Sequence, residues 1–266
     1  MRTLLLALAF PVVLAAAPAQ ALEPFKIYDR FTDKVLDPAR WPDGERVREV
    51  KGGSQRLMQR TWGPSSADAG VGAVNWHTNL TNPNNITAIK ATITVTSLES
   101  NACPSNPDPG DARARIVGSF FSSLPTPLPG SQVWDVIAQV RLIRASNSTD
   151  PAGLLRVQGL ASVCTSADCS GAQTIGNIVD LGTVMVGTPT TVQMQWDKPG
   201  KTFYFAREGV GAGTVAYSEP DPSSPGVPFK QVSTRVVIPS CLSAPKVSGV
   251  VDALFDNVFV NRSAAP

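Results

Sequence analysis

The clearest pattern along the chain is a strict alternation of apolar and polar residues over residues 190–208. Met194 and Trp196 alternate with polar residues, and after a Lys-Pro-Gly-Lys turn the alternation resumes at Phe203 and Phe205. A period of two is typical of a β-strand with one buried face. Folding the segment about this turn places Trp196 opposite Phe203 and Met194 opposite Phe205, so the apolar faces coincide. The pattern predicts an antiparallel hairpin with one buried face and one solvent-exposed face.

A second hairpin is predicted over residues 45–62, about a Lys-Gly-Gly-Ser turn in which the glycines supply positive φ angles. Pairing about that turn sets Glu45 opposite Arg60 and Glu49 opposite Arg56. Neither face of this hairpin is cleanly apolar.

The same kind of pattern recurs along most of the chain, whereas no run of ten or more residues has a helical period after residue 21. In the strand predicted over residues 133–145, Trp134 falls on the apolar face. Residues 209–228 are rich in Gly, Pro and Ser and are predicted to form a long loop, either functional or mobile. The other predicted strands cover residues 25–31, 74–80, 86–98, 112–122, 154–164, 172–181, 231–238 and 249–260.

The first 21 residues have the features of a signal peptide cleaved after Ala21. A single Arg2 precedes a Leu/Ala/Val-rich run, and the segment ends in Ala-Gln-Ala. The alternative, a membrane anchor, needs about 20 unbroken apolar residues, and Pro11 and Pro18 interrupt this run. We therefore expect residues 22–266 to form a single exported β-sandwich domain, secreted or periplasmic, with no membrane span.

Composition narrows the range of partners. Lysine and arginine number 23 against 21 acidic residues, which gives a net charge of +2 spread along the chain. Such a balance argues against nucleic acid or an anionic membrane surface as the main partner. The 23 prolines and 21 glycines fit many short strands joined by tight turns.

Four cysteines in an exported chain indicate two disulfides, for which three connectivities are allowed. Cys164 and Cys169 enclose only four residues, which suits the tip of a hairpin and leaves Cys103 to pair with Cys241. The sequence favours this pairing. A zinc site is disfavoured, because the spacing is wrong and the only histidine, His77, is far away in sequence.

Four features taken in order resemble the concanavalin A-like lectin/glucanase superfamily, which includes laminin-G-like modules. They are Asp29-Arg30-Phe31 followed by Leu36-Asp37 and Trp41; the long strand over residues 86–98; the Trp196 hairpin; and the closing Phe255-Asp256-Asn257-Val258-Phe259-Val260. The resemblance implies an all-β fold, an antiparallel two-sheet jelly-roll sandwich.

The catalytic signatures of that superfamily are absent from the sequence. Glucanase-type members place Glu-x-Asp-x-Glu on one strand, so that the acid and the nucleophile share a face. The only Glu-x-Asp here, beginning at Glu219, contains Pro220 and is followed by Pro222, which excludes a central strand. The Gln-Ile/Val-His tripeptide of alginate-lyase-type members is also missing, so His77 is read as a strand-edge histidine rather than a base. We assign no catalytic residue.

A ligand site is predicted on the hairpin over residues 45–62 together with the next strand. A sugar site needs a flat aromatic side chain over C–H groups and planar polar groups for the hydroxyls. The alternative is that the charged residues form exposed cross-strand pairs and both tryptophans belong to the core. The candidate ligand-binding residues are Gln55, Arg56, Gln59, Arg60, Trp62 and Trp76.

The resemblance also implies a structural calcium ion near the chain ends, bound by carboxylate and backbone oxygens. Asp29 and Asp256 would meet there if the first and last strands are neighbours. The alternative is that Asp256 and Asn257 only turn or cap the strand edge. No other cofactor is expected.

Three functions follow from these observations. The favoured one is a non-catalytic exported sandwich that binds a glycan or another extracellular ligand. The first alternative is a glycan hydrolase or lyase whose acid/base residues come from separate strands, for example Glu45 or Glu49 with His77. The second is a structural or adhesive cell-surface component that uses free sheet edges.

Overall fold

The structure is a computed structural model that describes residue 27 and residues 36–38, 40–41, 44–242 and 246–265. The signal peptide predicted over residues 1–21 and all but one residue of the strand predicted over residues 25–31 lie outside this part of the chain. From Leu36 to Pro266 the chain forms one compact unit.

The described residues contain thirteen strands and two short 3₁₀ helices. The first seven strands are β1 (Glu45–Lys51), β2 (Ser54–Trp62), β3 (Val71–Asn79), β4 (Ala88–Ser100), β5 (Asp111–Ser122), β6 (Asp135–Ala145) and β7 (Leu154–Cys164). The others are β8 (Ala172–Met185), β9 (Thr190–Asp197), β10 (Thr202–Arg207), β11 (Gly211–Ala216), β12 (Lys230–Pro239) and β13 (Ser248–Val260). The 3₁₀ helices cover Pro83–Asn85 and Arg262–Ala264.

These strands form two sheets in which the pairs are antiparallel. One sheet has seven strands in the order β1-β2-β13-β4-β9-β10-β11, and the other has six in the order β3-β12-β5-β6-β7-β8. Five of the eleven neighbouring pairs join strands that are distant in sequence, among them β2 with β13 and β5 with β12. The predicted fold class, an all-β antiparallel two-sheet sandwich, is confirmed.

Both predicted hairpins have the predicted register. Trp196 pairs with Phe203 and Met194 with Phe205. In the first hairpin, Glu45 pairs with Arg60 and Glu49 with Arg56. The register is the one that aligns equivalent faces of the two strands, as expected when one face must be buried.

The core lies between the sheets and is filled by the apolar set of each alternating strand. On β4, Ile89, Ala91 and Ile93 are fully buried, while Lys90 and Thr92 between them are half-buried. One region of this core is an aromatic cluster. Its rings, with centroids 4.9–6.4 Å apart, belong to Phe120, Phe121, Trp196, Phe203, Phe205 and Tyr217.

Three sequence predictions need correction. Residues 209–228 are not one loop, because β11 (Gly211–Ala216) lies within them and pairs with β10. The strand predicted over residues 172–181 is longer than expected, since β8 continues to Met185. Trp134 is not on the buried face of β6: it precedes the strand, is half exposed, and has a φ of 67°.

The two predicted disulfides are present, joining Cys103 to Cys241 and Cys164 to Cys169. Disulfides are typical of proteins that fold in oxidising compartments, which is compatible with the predicted export. Among the described residues, no helix is long and apolar enough to cross a membrane.

Gly159 on β7 tests the packing between the sheets. A Cβ atom at this position would lie 2.4 Å from Cγ of Phe205, which is fully buried. We expect Gly159→Ala to lower the free energy of unfolding by about 1–3 kcal/mol, because the phenyl ring has to move within a packed core. Chemical denaturation measures this loss.

The matched control is Gly211→Ala, since an added Cβ meets nothing within 4 Å there. Equal stability of the two variants would contradict the close approach of β7 to β10.

Candidate functional site

The six predicted ligand-binding residues do not share one surface. Arg56, Arg60 and Trp62 lie on the outer face of the seven-stranded sheet, the face turned away from the other sheet, as their alternation with buried neighbours shows. Gln59 is fully buried and its Nε2 donates to Oγ1 of Thr234 at 3.2 Å. The other two also make interior contacts: Gln55 donates to the Thr78 hydroxyl, and Trp76 packs against the core and donates to the Val47 carbonyl.

The two arginines of this set already have carboxylate partners. Arg56 lies 2.7 Å from Asp252 and 2.8 Å from Glu49, and its hydrogen bonds with both raise its pKa. Arg60 lies 3.8 Å from Glu45. The cross-strand pairing of these charges is therefore observed, whereas ligand binding by the six residues stays a prediction.

The predicted calcium site also stays a prediction, because Asp29 lies outside the described residues. Asp256 is exposed on β13, and its carboxylate accepts the backbone N–H of Asn257 at 2.7 Å. Within the described part of the chain, the one cluster of three metal-ligating residue types is Asp68 with Cys103 and Cys241. Those two cysteines form a disulfide, so this cluster is not a metal site.

The acid/base pairs suggested from the sequence are not assembled. Glu45 and Glu49 form ion pairs with Arg60 and Arg56 on the outer face of the seven-stranded sheet. His77 instead lines a groove on the outer face of the six-stranded sheet.

That groove runs across the strands of the six-stranded sheet and has a volume of about 350 Å³. The strand register places His77, Ser233, Arg115 and Arg141 in one row across β3, β12, β5 and β6. The adjacent row carries polar and charged residues from the first three of these strands, namely Asn75, Arg235 and Arg113.

The local sequence explains why four arginines lie on this outer face, of which Arg115 and Arg235 line the groove. On β5, Ala112, Ala114 and Ile116 are fully buried in the core, so the residues between them must face outward. Those residues are Arg113 and Arg115. Because antiparallel neighbours keep the same alternation, the outward positions of β6 and β12 add Arg141 and Arg235.

Arg115 is the most buried of these four guanidinium groups, and its hydrogen-bond partners are neutral. Its Nε donates to the Ser233 hydroxyl at 3.0 Å, and its two terminal nitrogens donate to the side-chain oxygens of Gln139 at 3.0 Å and Asn75 at 2.9 Å. Burial, followed by repulsion from Arg113 and Arg235, lowers its pKa well below the usual range.

The other guanidinium groups are only partly neutralised. Asp111 pairs with Arg113 at 2.9 Å, and burial still lowers the pKa of Arg113 to about 9. Arg141 donates to the Gln158 side chain, and Nε of Arg235 is buried with no hydrogen-bond partner among the described residues. Burial lowers the pKa of both groups. The arginines remain protonated at neutral pH, so their lowered pKa values reflect the free-energy cost of holding positive charge there.

Another buried cation, Lys230, does not line the groove. Its Nζ donates to the carbonyls of Pro83 and Ser119, and it lies 4.3 Å from the ring centroid of Phe120. Burial lowers the pKa of Lys230 to about 7. The arginines that line the groove are Arg115 and Arg235, and we call them the arginine floor.

The groove walls come from two loops. One contains the Cys164–Cys169 disulfide, which is held to the chain before β6 by a hydrogen bond from the Gln132 N–H to the Ala167 carbonyl at 2.8 Å. The other is the segment before β12, which contributes Val227, Pro228 and Phe229.

His77 contributes the one imidazole of the lining. Burial, with added repulsion from Arg48 and Arg115, lowers its pKa and keeps its ring neutral at pH 7. Its Nδ1 is buried and has no hydrogen-bond partner among the described residues. Asp168, the carboxylate of the lining, has its pKa lowered to about 2 by hydrogen bonds from Ser170 and Ser166.

Comparisons with known proteins add no family assignment. No protein-family model matches the sequence, and no curated protein matches it. Similar solved structures include a family 7 alginate lyase, A1-II′, in complex with substrate, at 12% identity and a TM-score of 0.44 over 82% of each chain. A family 16 endo-glucanase from Bacteroides ovatus shares 11% identity, with a TM-score of 0.41 over 83% of this chain and 86% of that chain.

A carbohydrate-binding module, CBM66 from Bacillus subtilis, is also similar, at 12% identity and a TM-score of 0.31 over 81% of this chain and 90% of that chain. With TM-scores below 0.5, we carry no residue role from these structures to this chain.

The lowered pKa of His77 can be measured directly, because it is the only histidine and gives one set of ring signals in NMR. We expect it to titrate below 6.5, and we expect Arg115→Gln to raise its pKa by removing one repulsive charge. The unfolded chain binds the proton more readily, so stability falls as the pH drops below about 6.5. A histidine pKa at or above 6.5 in the unmodified protein would contradict this environment.

Proposed function

We propose that this protein binds acidic glycans in the groove on the outer face of the six-stranded sheet. The observation that carries the proposal is the set of buried and half-buried arginines on that face, whose partners are mainly neutral groups. Two carboxylates lie near them, that of Asp111 and that of Asp168. An anionic group bound there would relieve their mutual repulsion and replace the hydration that burial removes.

The chemistry of the lining favours a sugar acid over other anions. Amide side chains surround the guanidinium groups and can hydrogen-bond hydroxyls, while Phe229 and Ile137 offer apolar surface for C–H groups. A ligand with carboxylate or sulfate groups, hydroxyls and C–H surface matches all three features. The near-zero net charge argues against nucleic acid, as the sequence predicted. The amides of the lining are those of Asn75, Asn79, Gln132 and Gln231, and Gln139 accepts a hydrogen bond from Arg115 beside them.

The test compares Arg115→Gln with Arg56→Gln. Calorimetric titration would use oligogalacturonate and a heparin-derived sulfated oligosaccharide, with a cello-oligosaccharide as the neutral control. We expect the unmodified protein to bind at least one acidic probe. Arg115→Gln should weaken binding by roughly thirtyfold or more, since losing one partner of a buried charge pair costs about 2 kcal/mol or more.

Arg56→Gln is the matched control, because Arg56 lies on the other sheet and already has two carboxylate partners. It should leave the affinity unchanged. If Arg56→Gln abolished binding and Arg115→Gln did not, the groove proposal would be wrong and the surface predicted from the sequence would be favoured.

A second candidate function is a polysaccharide lyase acting in the same groove. The observation that favours it is His77, neutral at pH 7 and in the same cross-strand row as Arg115. The imidazole would take the proton α to a uronate carboxylate, while the guanidinium stabilised the charge that develops there. The electron pair would form the C–C double bond as the glycosidic C–O bond breaks, and the leaving oxygen would take up a proton. Binding ranks first, because Asp168, with its pKa near 2, is a poor donor of that proton.

The lyase proposal predicts an unsaturated uronate product, which absorbs in the ultraviolet. His77→Gln should abolish product formation while leaving the affinity for oligogalacturonate within about threefold, since the floor arginines remain. Binding without product in the unmodified protein would exclude the lyase and leave the binding proposal standing.

A further inference from the structure

We propose a second ligand site in this protein, a pocket for a single neutral sugar ring built around Trp134. The pocket lies at the end of β7, between the Cys164–Cys169 loop and the segment that follows β11, and has a volume of about 250 Å³. Its lining includes Val163, Ile175 and Glu219. The groove on the outer face has a different lining and shares no residue with it.

The backbone of Trp134 is in an unfavourable conformation. Its φ of 67° lies in the left-handed region, where a bulky side chain is rare and costs free energy. Among the described residues, Trp134 is the only aromatic one with a positive φ. Its N–H donates to the Cys164 carbonyl at 2.9 Å, and its carbonyl accepts the Ser123 N–H at 3.0 Å, so both neighbouring segments hold the strained residue in place.

This backbone conformation does not place the Trp134 side chain in the core. The Trp134 side chain is 50% exposed, although alternation along β6 would have placed it on the buried face. Strained residues of this kind persist where the surrounding structure fixes them, and they concentrate at ligand sites. The strain turns a large flat ring outward at the edge of a pocket.

The remaining lining has the composition that a sugar ring requires. Val163 and Ile175 extend the apolar surface beside the indole, and Ser123, Thr165, Gln173 and Thr174 supply hydroxyl and amide groups. One Glu219 carboxylate oxygen accepts the Ser218 N–H at 3.1 Å, and a carboxylate has several acceptor positions for ligand hydroxyls. An indole face covers the C–H side of a pyranose while these groups bind its edge.

Charge and size narrow the ligand class. The pocket lining contains no cationic residue and one carboxylate, so it disfavours the acidic sugars that suit the groove. Its volume is below the roughly 300 Å³ at which pockets for drug-sized ligands begin. We therefore assign it one uncharged ring, either a free monosaccharide or the end of a neutral chain.

The experiment is ligand-observed NMR and calorimetry of the full chain with neutral probes: glucose, mannose, galactose, xylose, N-acetylglucosamine and their short β-linked oligomers. We expect at least one probe to bind. Trp134→Ala should lower its affinity at least tenfold, because the stacking surface is removed. Glu219→Gln should weaken binding several-fold. Trp62→Ala and Arg115→Gln, which lie on the two outer faces, should leave it unchanged.

A stability measurement separates loss of the site from loss of the fold. Trp134→Gly and Trp134→Ala both remove the indole, but only glycine accepts the left-handed φ without cost. We expect the glycine variant to melt about 2–4 °C above the alanine variant while neither binds sugar.

Unchanged sugar binding in Trp134→Ala would overturn the proposal. The proposal would also be wrong if the unmodified protein bound none of the neutral probes at about 10 mM, a concentration well above a weak Kd of about 1 mM. Because Arg115→Gln disables the groove alone, failure of one site is distinguishable from failure of the other.

Discussion

Side-chain alternation on paired antiparallel strands is the constraint on which both the core and the groove depend. On β5, the register that buries Ala114 and Ile116 between the sheets turns Arg113 and Arg115 to the outer face. A slip of one residue would exchange these sets, exposing the apolar side chains and burying guanidinium groups in the core. The same hydrogen-bonding register therefore determines both the buried core and the position of the arginines at the proposed site.

The arginine floor has an energetic cost that the rest of the sheet offsets. Arg115 is buried without a carboxylate partner, and a charge in that state destabilises the native protein unless polar groups surround it. Ser233, Gln139 and Asn75 supply neutral acceptors from three different strands. This arrangement holds the guanidinium rigidly while leaving its charge uncompensated, as an anion-binding site requires.

Features that depend on the pattern of nearby residues could be predicted from the sequence. The hairpin containing Trp196 and Phe203 was predictable to the residue, because alternation and a tight turn fix its register. The short Cys164–Cys169 loop followed from spacing. The groove was not found, since Arg115 and Arg235 converge only through the strand order of the six-stranded sheet, which no local pattern encodes. Alternating alanine and arginine on β5 was the available signal. The prediction that Trp134 lies on the buried face was wrong, because side-chain alternation does not reveal a left-handed φ.

The central claim is that the outer face of the six-stranded sheet is the surface that meets an acidic ligand. A crystal structure of the protein with oligogalacturonate tests it most directly. We expect a sugar carboxylate within hydrogen-bonding distance of Arg235 or Arg115, in the groove walled by the Cys164–Cys169 loop. An oligosaccharide bound instead beside Arg56 and Trp62, on the outer face of the seven-stranded sheet, would contradict it.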